Sequence, residues 1–364
     1  MRKVLFLGRF PPPVHGAALM NENYFKALSK DKNFKVKRIK INYSDTLSEL
    51  GKVNLKKFFG FFIVFFKLFK ELVFFRPKII YFELAHRGFA FYRDSVYVIL
   101  CKLFKRKIIF HFQAKGIKES SEKNAFTRNY YRFILRNTKA ILLSNLLLYD
   151  LEGFVKKKDI FIVPNAIRDE LTDKEFKNII EKRSKNKKKV LLFLSNMIES
   201  KGPLDVLNIC EALKKEGVEF ICNFVGVFSD EKFKTRFFNE IKKKGLQKEC
   251  FYLGPKYGKD KLKILEGTDY LIFPTNYENE VFPLVILEAL MFGIPVFSYK
   301  NAAIPEIISK DYLGFVAKRK DWKSLFKNLY DRLGHKENAL KIREEFKNKY
   351  LLSISVDKLR HLLK

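Results

Sequence analysis

No stretch of this 364-residue chain reaches 18 consecutive apolar residues, so the sequence offers no ordinary membrane-crossing helix. Cysteine is scarce. Cys101, Cys210, Cys222 and Cys250 follow no metal-site spacing and sit inside apolar segments, as buried thiols of a reducing cytosol do. That excludes a disulfide-stapled secreted fold and a Cys-zinc module. No Asp-x-Asp pair stands in a suitable loop, so no metal ligand is nominated. Acidic residues are few, 40 Asp+Glu against 72 Lys+Arg, which leaves a formal net charge of +32. Disorder is excluded by what is abundant: 47% hydrophobic and 15% aromatic residues can form well-packed cores. The opening MRKVLFLGRF has too short an apolar run for a signal peptide and reads as a first buried strand.

The first 170 residues hold 34 basic and 14 acidic side chains, so most of the excess charge lies there. Such a surface attracts nucleic acid, anionic membrane or phosphorylated substrates. Base composition accounts for it equally well, because Lys, Phe, Asn and Ile are all frequent. No zinc-finger spacing, RNP-like motif or recognition helix accompanies the charge.

Hydrophobic periodicity alternates strand and helix along the chain. The strand Lys3–Gly8 leads through a Pro/Gly loop, Pro11–Gly16, into a helix over 17–29. Extended runs follow at 34–42, at IIYFEL after Pro77, at 107–112, at AILLS and at 160–163, with helices over 55–75, 94–104 and 122–137. A highly charged stretch, 168–189, reads as the hinge. A second alternation runs from VLLFLS (190–195) to PVFSY, followed by two helices near 321–350 and an amphipathic one over 353–363. This pattern predicts parallel sheets flanked by helices. The predicted domains are 1–170 and 171–352, both Rossmann-like. The terminal helix 353–364 is expected to pack back on the first.

The most informative segment is 269–308, DYLIFPTNYENEVFPLVILEALMFGIPVFSYKNAAIPEII. A buried strand ends at Pro274, and a polar loop carries Glu278, Asn279 and Glu280. Pro283 suits the first turn of a helix, on which Glu288 lies eight positions after Glu280. Gly293 and Pro295 close that helix. The loop delivers carboxylates and a helix N-terminus to the carboxyl edge of a parallel sheet, where open α/β sheets bind ligands.

In these residues the chain resembles the retaining glycosyltransferases of family 4. The match is to their Glu-x7-Glu motif, with the following Leu-Met-Phe-Gly-Ile-Pro-Val and the Pro305-Glu306 turn. The resemblance implies the α/β GT-B fold, two Rossmann-like domains facing an interdomain cleft. It implies that Glu280 meets the donor sugar and Glu288 the nucleotide ribose. Val281, Phe282 and Leu284, at the helix start, are donor-binding by the same resemblance. LFLSNMIESKGPLDVL resembles the first strand and basic loop of the donor domain. Lys201 there fits the lysine that meets the donor diphosphate, and Asn196 stands where the family usually has arginine.

Two further elements come from the first half. In GRFPPPVHGAALMN, Gly16 permits close backbone approach to an anion, and the helix after it offers free N–H groups. His15 reads either as a hydrogen-bond donor to phosphate or sugar or as a solvated loop residue. In KIIFHFQAKG, His111 matches the family histidine that approaches the donor sugar; the competing reading is a satisfied core histidine. Pro164–Asn165–Ala166 resembles the Pro-Asn-Gly turn before the linker and reads as structural.

Segment 55–75 joins nine Phe to four Lys. It reads equally as a membrane-interface helix or as an ordinary helix preceding a strand. Together these features predict a metal-independent, retaining transferase with catalytic His111, Glu280 and Lys201 and no cofactor. The donor is a nucleotide-sugar, by resemblance a UDP-sugar, and the acceptor a glycan or lipid-linked saccharide of a bacterial surface polysaccharide. The expected location is cytoplasmic, peripheral on the inner membrane face. A nucleotide-sugar epimerase would instead change the sugar without an acceptor. A basic nucleic-acid binder would explain only the charge and would show strong salt dependence.

Overall fold

The structure is a computed structural model that describes residues 1–12, 16–41, 55–333 and 338–364, with the backbone alone at 55–58. Pro13 and His15 lie outside the described residues, as do the side chains of Lys56 and Lys57. The chain divides into two compact units, Met1–Ala166 with Leu352–Lys364, and Ile167–Leu351.

The first unit is built on six parallel strands: β1 (Arg2–Gly8), β2 (Phe34–Lys40), β3 (Ile79–Phe82), β4 (Lys107–His111), β5 (Lys139–Leu142) and β6 (Ile160–Ile162). They lie in the order β2-β1-β3-β4-β5-β6. β3 is buried at every position and β1 from Val4 to Gly8, as strands covered on both faces must be. The chain moves one way from β1 to β2 and the other way from β2 onward. Right-handed crossovers therefore place the helix Gly16–Ser29 on one face and the helices Leu55–Lys70, Gly88–Leu103 and Ala125–Leu135 on the other.

The terminal helix Leu352–Leu363 joins the first face. Val356, Leu359 and Leu363 enter a core with Tyr24, Leu28, Phe6 and Tyr81, each apolar side chain contributing roughly 1.5–3 kcal/mol by burial. Tyr24 Oη and Ser355 Oγ are 2.5 Å apart, and Arg360 Nε donates to Asp31 Oδ2 at 2.6 Å.

The second unit repeats the plan with β7 (Lys189–Leu194), β8 (Phe220–Val225), β9 (Cys250–Tyr252), β10 (Tyr270–Phe273), β11 (Val296–Tyr299) and β12 (Gly314–Ala317). The order is β12-β11-β10-β7-β8-β9, all parallel. Sequence periodicity missed β12, which is four residues long and carries only two fully buried positions.

The charged stretch read as a hinge holds instead the helix Asp173–Ser184, opened by a capping box between Thr172 and Glu175. Its charges are tied into the unit. Arg183 donates to the carbonyls of Leu265, Glu266 and Phe292, and Arg343 binds Asp169 at 2.9 Å and the carbonyls of Met291 and Leu171. Charge density marked a linker in the sequence because the partners of this stretch lie 82 to 174 residues away. All four cysteines are buried free thiols.

Candidate active site

In the second sheet, the strands that follow β7 in the chain run outward to one side, and β10 to β12 lie on the other. The neighbours β7 and β10 therefore form a topological switch point, where the loops leaving adjacent strands diverge and leave room for a ligand. Those two loops are residues 195–202 and 274–283. They touch directly, Asn276 N donating to Ser200 O at 2.7 Å. Gly202 has φ +85°, and a Cβ there would stand 2.3 Å from Pro274 O. Only glycine adopts that left-handed turn while letting the two backbones approach so closely. At the outer side of the same loop Gly226 makes a comparable approach to Ser195 O.

This contact brings Lys201 to Glu280. Lys201 Nζ lies 3.1 Å from Glu280 Oε2, and both side chains are 15% exposed. The ammonium also sits over the Tyr277 ring, 5.2 Å from its centroid. Glu280 N donates to Tyr277 O at 3.1 Å, which fixes the carboxylate at the end of a tight turn. Each partner keeps a face toward solvent, and a carboxylate with unused lone pairs beside an ammonium with unused N–H donors can meet a polar, charged ligand.

One turn into the helix Leu284–Met291, Glu288 forms a second pair, with Lys261 Nζ at 2.6 Å from its Oε1. Lys261 was not singled out from sequence. It lies on the helix Gly258–Glu266, and nothing about one lysine among 72 basic residues announces a partner 27 positions away. Val281 and Phe282 are buried, Val281 O accepting from Ala303 N at 3.1 Å. Both side chains are therefore packed inside the unit. Leu284 is half-buried and opens the helix, so its N–H is among the four that have no acceptor within the helix.

On the far side of the loop, Asn301 donates to Tyr277 O at 2.9 Å and accepts from Arg319 at 2.9 Å. Asn196 is exposed. The second cation brought to its loop is Arg236, which pairs with Glu199 at 2.7 Å. Among the described residues no group of three or more His, Cys, Asp or Glu is placed to hold a metal ion.

In the first unit, His111 ends β4 and is completely buried. Its Nδ1 meets the Tyr81 hydroxyl and its Nε2 lies 3.0 Å from Gln113 Nε2. Tyr81 donates on to Asn21 Oδ1 at 3.1 Å, and Asn21 donates to Glu83 and to Arg9 O. Burial pushes the imidazole down to about 3, so the ring is neutral at physiological pH. The structure thus presents His111 as a hydrogen-bonded core histidine behind Gln113, with no edge of its own in solvent. Gly16 is the first residue of the helix Gly16–Ser29. The polar chain from Arg9 to His111 was not visible in the sequence, because its members come from four separate segments.

Residues 175–349 match the family described as Glycosyl transferases group 1. Over 143 residues the chain is 25% identical to an Escherichia coli (strain K12) protein named as a colanic acid biosynthesis glycosyltransferase, WcaL. That alignment covers 38% of this chain and 34% of the relative, so the chain matches about a third of the curated protein's length. Among solved structures, a glycosyltransferase from Rickettsia africae ESF-5 superposes with a TM-score of 0.79 at 18% identity, covering 100% of this chain and 98% of the other. Anabaena Alr3699/HepE in complex with UDP gives 0.73 at 14% identity, covering 99% of each. Two parallel six-stranded units that superpose on these structures make the GT-B fold, and residues 175–349, just under half of the chain, match the glycosyl transferases group 1 family.

Proposed function

We propose that the protein transfers a sugar from a nucleotide-sugar, a UDP-sugar, to a glycan or lipid-linked acceptor in bacterial surface polysaccharide synthesis, with retention of anomeric configuration. The carrying observation is the pair of lysine–glutamate contacts at the switch point of the second sheet, Lys201–Glu280 and Lys261–Glu288. UDP bound to the structurally similar Alr3699/HepE and the family of residues 175–349 support a nucleotide-sugar donor.

In this reading Glu280 accepts hydrogen bonds from the donor sugar, and Glu288 accepts from the ribose hydroxyls. When the glycosidic C–O bond breaks, the electron pair leaves on the terminal phosphate of the nucleoside diphosphate. Lys201 and the free N–H groups that open the helix Leu284–Met291 stabilise that charge as it develops. Fixed donors aimed at a developing anion are worth several kcal/mol in a shielded site. They do here what a divalent cation does elsewhere, so the reaction proceeds without metal. No carboxylate is assigned as a nucleophile. The acceptor hydroxyl attacks on the face from which the diphosphate departs and gives its proton to the departing phosphate oxygen. His111 serves as a positioning residue that orients Gln113. The protein works at the cytoplasmic membrane surface, where a lipid-linked acceptor resides.

The test is incubation with a panel of UDP-, GDP- and ADP-sugars, following nucleotide release with and without lipid-linked acceptors and reading the product anomer by NMR. Release confined to one nucleotide-sugar, and lost in Glu280→Ala, supports the reading. A changed sugar with no acceptor consumed would instead make the protein an epimerase.

A further inference from the structure

The sheet face opposite the terminal helix carries a layer of three neighbouring helices, Leu55–Lys70, Gly88–Leu103 and Ala125–Leu135. Phe61 stacks on Tyr97 at 5.4 Å between the first two. Phe91 stacks on Tyr131 at 3.7 Å, and Lys102 donates to Phe133 O at 2.7 Å, between the last two.

Inward, the layer is ordinary. Val64, Leu68, Leu72, Phe91, Val98, Ile134 and Leu135 are buried. Outward it is apolar as well. Ile63, Phe66, Phe69 and Phe74 are 55%, 65%, 45% and 75% exposed, and Phe89, Leu103, Phe126 and Phe133 are all more than half exposed. Ile63, Phe66 and Phe69 recur every third residue along the helix Leu55–Lys70 and Phe74 follows in the turn Glu71–Phe75, so the segment is apolar outward as well as inward. A soluble surface seldom gathers so many exposed large side chains on one side.

The exposed charges on the three helices and just after their ends are basic. Lys67, Lys70, Lys105, Arg128, Arg132 and Arg136 are exposed. The single acid on the three helices is Asp94, which is buried and held by Arg93. Glu71, just after the first helix, is paired with Lys37 at 2.7 Å. Beside Phe133, the residues Arg132, Arg136 and Lys156 line an open groove of about 520 Å³ that also includes Asp159. No helix among the described residues is long and apolar enough to cross a membrane.

We infer that this three-helix face is the surface on which the protein seats on an anionic lipid bilayer, its exposed aromatic and aliphatic side chains entering the interface and its basic rim lying at the phosphates. Charge complementarity selects the occupant. A second copy would leave the uncompensated rim facing another basic surface, whereas an anionic leaflet attracts each basic residue near it and accepts the apolar stripe. The inference specifies the surface for the membrane attachment in the proposed function and rests on that reading for its purpose alone. The seating itself needs no donor.

The experiment is sedimentation of the full chain with phosphatidylcholine vesicles, alone or containing about 30 mol% phosphatidylglycerol, a proportion of anionic lipid that gives a substantial surface potential. Binding to the anionic vesicles should exceed binding to neutral ones several-fold, and high salt should release only part of it. Replacing Ile63, Phe66, Phe69 and Phe74 together by Ser should lower partitioning by about tenfold, as removal of inserted apolar area requires, and abolish the salt-resistant part. Arg128→Gln with Arg132→Gln should lower only the salt-sensitive part. Hydrogen exchange on the unaltered protein serves if the fourfold variant does not fold; vesicles should protect the three helices selectively.

An unaltered protein that stays in the supernatant, or vesicle protection elsewhere, overturns the inference. So does a concentration-dependent dimer that the fourfold variant dissociates, which would make this face a self-association surface. UDP titration by calorimetry runs in parallel. Loss of vesicle binding with UDP binding intact removes this inference and leaves the donor site standing, while absent UDP binding with vesicle binding intact does the reverse.

Discussion

Replacing Gly202 by alanine should damage the candidate site without replacing Lys201, Glu280, Lys261 or Glu288. The backbone there is left-handed, φ +85°, a conformation that costs an L-residue roughly 1–2 kcal/mol. The new methyl would also stand 2.3 Å from Pro274 O and 3.0 Å from Pro274 C. Those are backbone atoms, so no rotamer change relieves the overlap and the two loops must move apart. Separation breaks the Asn276–Ser200 hydrogen bond, worth about 1 kcal/mol. The expected loss is about 2–4 kcal/mol, or roughly 4–16 °C in the melting temperature of a unit of this size. Lys201 moves away from Glu280, and UDP affinity falls with it. Gly217→Ala is the control, because φ is +72° there and nothing lies within 4 Å of the added methyl. It carries the conformational cost alone. Calorimetric melting and UDP titration of both variants decide the matter. If Gly202→Ala is no worse than Gly217→Ala in either measurement, the close approach of the two loops is not what builds the site.

Glu280→Ala should lower the transfer rate by about a hundredfold or more, the scale for a group acting in the transition state, while Glu288→Ala should mainly raise the donor KM; unchanged kinetics in both variants would remove the site assignment. Activity should persist in excess EDTA, and loss restored by manganese or magnesium would refute the charge-stabilising role given to Lys201. His111 predicts a pH effect on stability. Its folded pKa is about 3 and its unfolded one about 6.5, so the unfolded chain binds the extra proton. The contribution is complete above about pH 6.5 and falls by up to about 1.4 kcal/mol per pH unit below it. Urea melts at pH 7 and pH 5 should differ by about 2 kcal/mol more in the parent than in His111→Gln; equal differences would place the imidazole in contact with water.

The architecture was legible because parallel strands buried on both faces are written as short, nearly unbroken apolar runs, such as VLLFL before Ser195 and YLIF before Pro274. Glu280 and Glu288 were legible because Pro283 and Gly293 punctuate the helix between the flanking strands. What stayed hidden depends on long-range pairing. The helix Asp173–Ser184 was masked by its charge, and β12 by its length. Lys261 was hidden because an ion pair across 27 residues leaves no periodic mark. The Phe-rich segment divides in a way its composition does not show. Phe61 and Phe65 turn partly inward and Phe66 outward, a division fixed by where the helix meets Tyr97 and not by its own composition.

The two units also show why position alone does not make a site. Each has its switch point beside its first strand, between β1 and β3 in one and between β7 and β10 in the other. Each places there a basic residue from the loop after the first strand against a glutamate from the loop after its neighbour: Arg9 with Glu83, and Lys201 with Glu280. Topology explains both, since loops leaving adjacent strands at a switch must meet. Burial separates them. The Glu83 side chain is 0% exposed and is held by Arg9 N at 2.9 Å as well as by Asn21, so its acceptor capacity is spent within the protein. An isolated carboxylate in that place would cost several kcal/mol without those donors, and the arrangement serves to join β1, β3 and the helix Gly16–Ser29. Glu280 keeps part of its surface in solvent and is met by one ammonium that is itself partly exposed. It has acceptor capacity left for hydroxyl groups, and Lys201 has donor capacity left for phosphate. The same crossing of loops therefore closes the edge of one sheet and leaves the edge of the other open to a polar, anionic ligand.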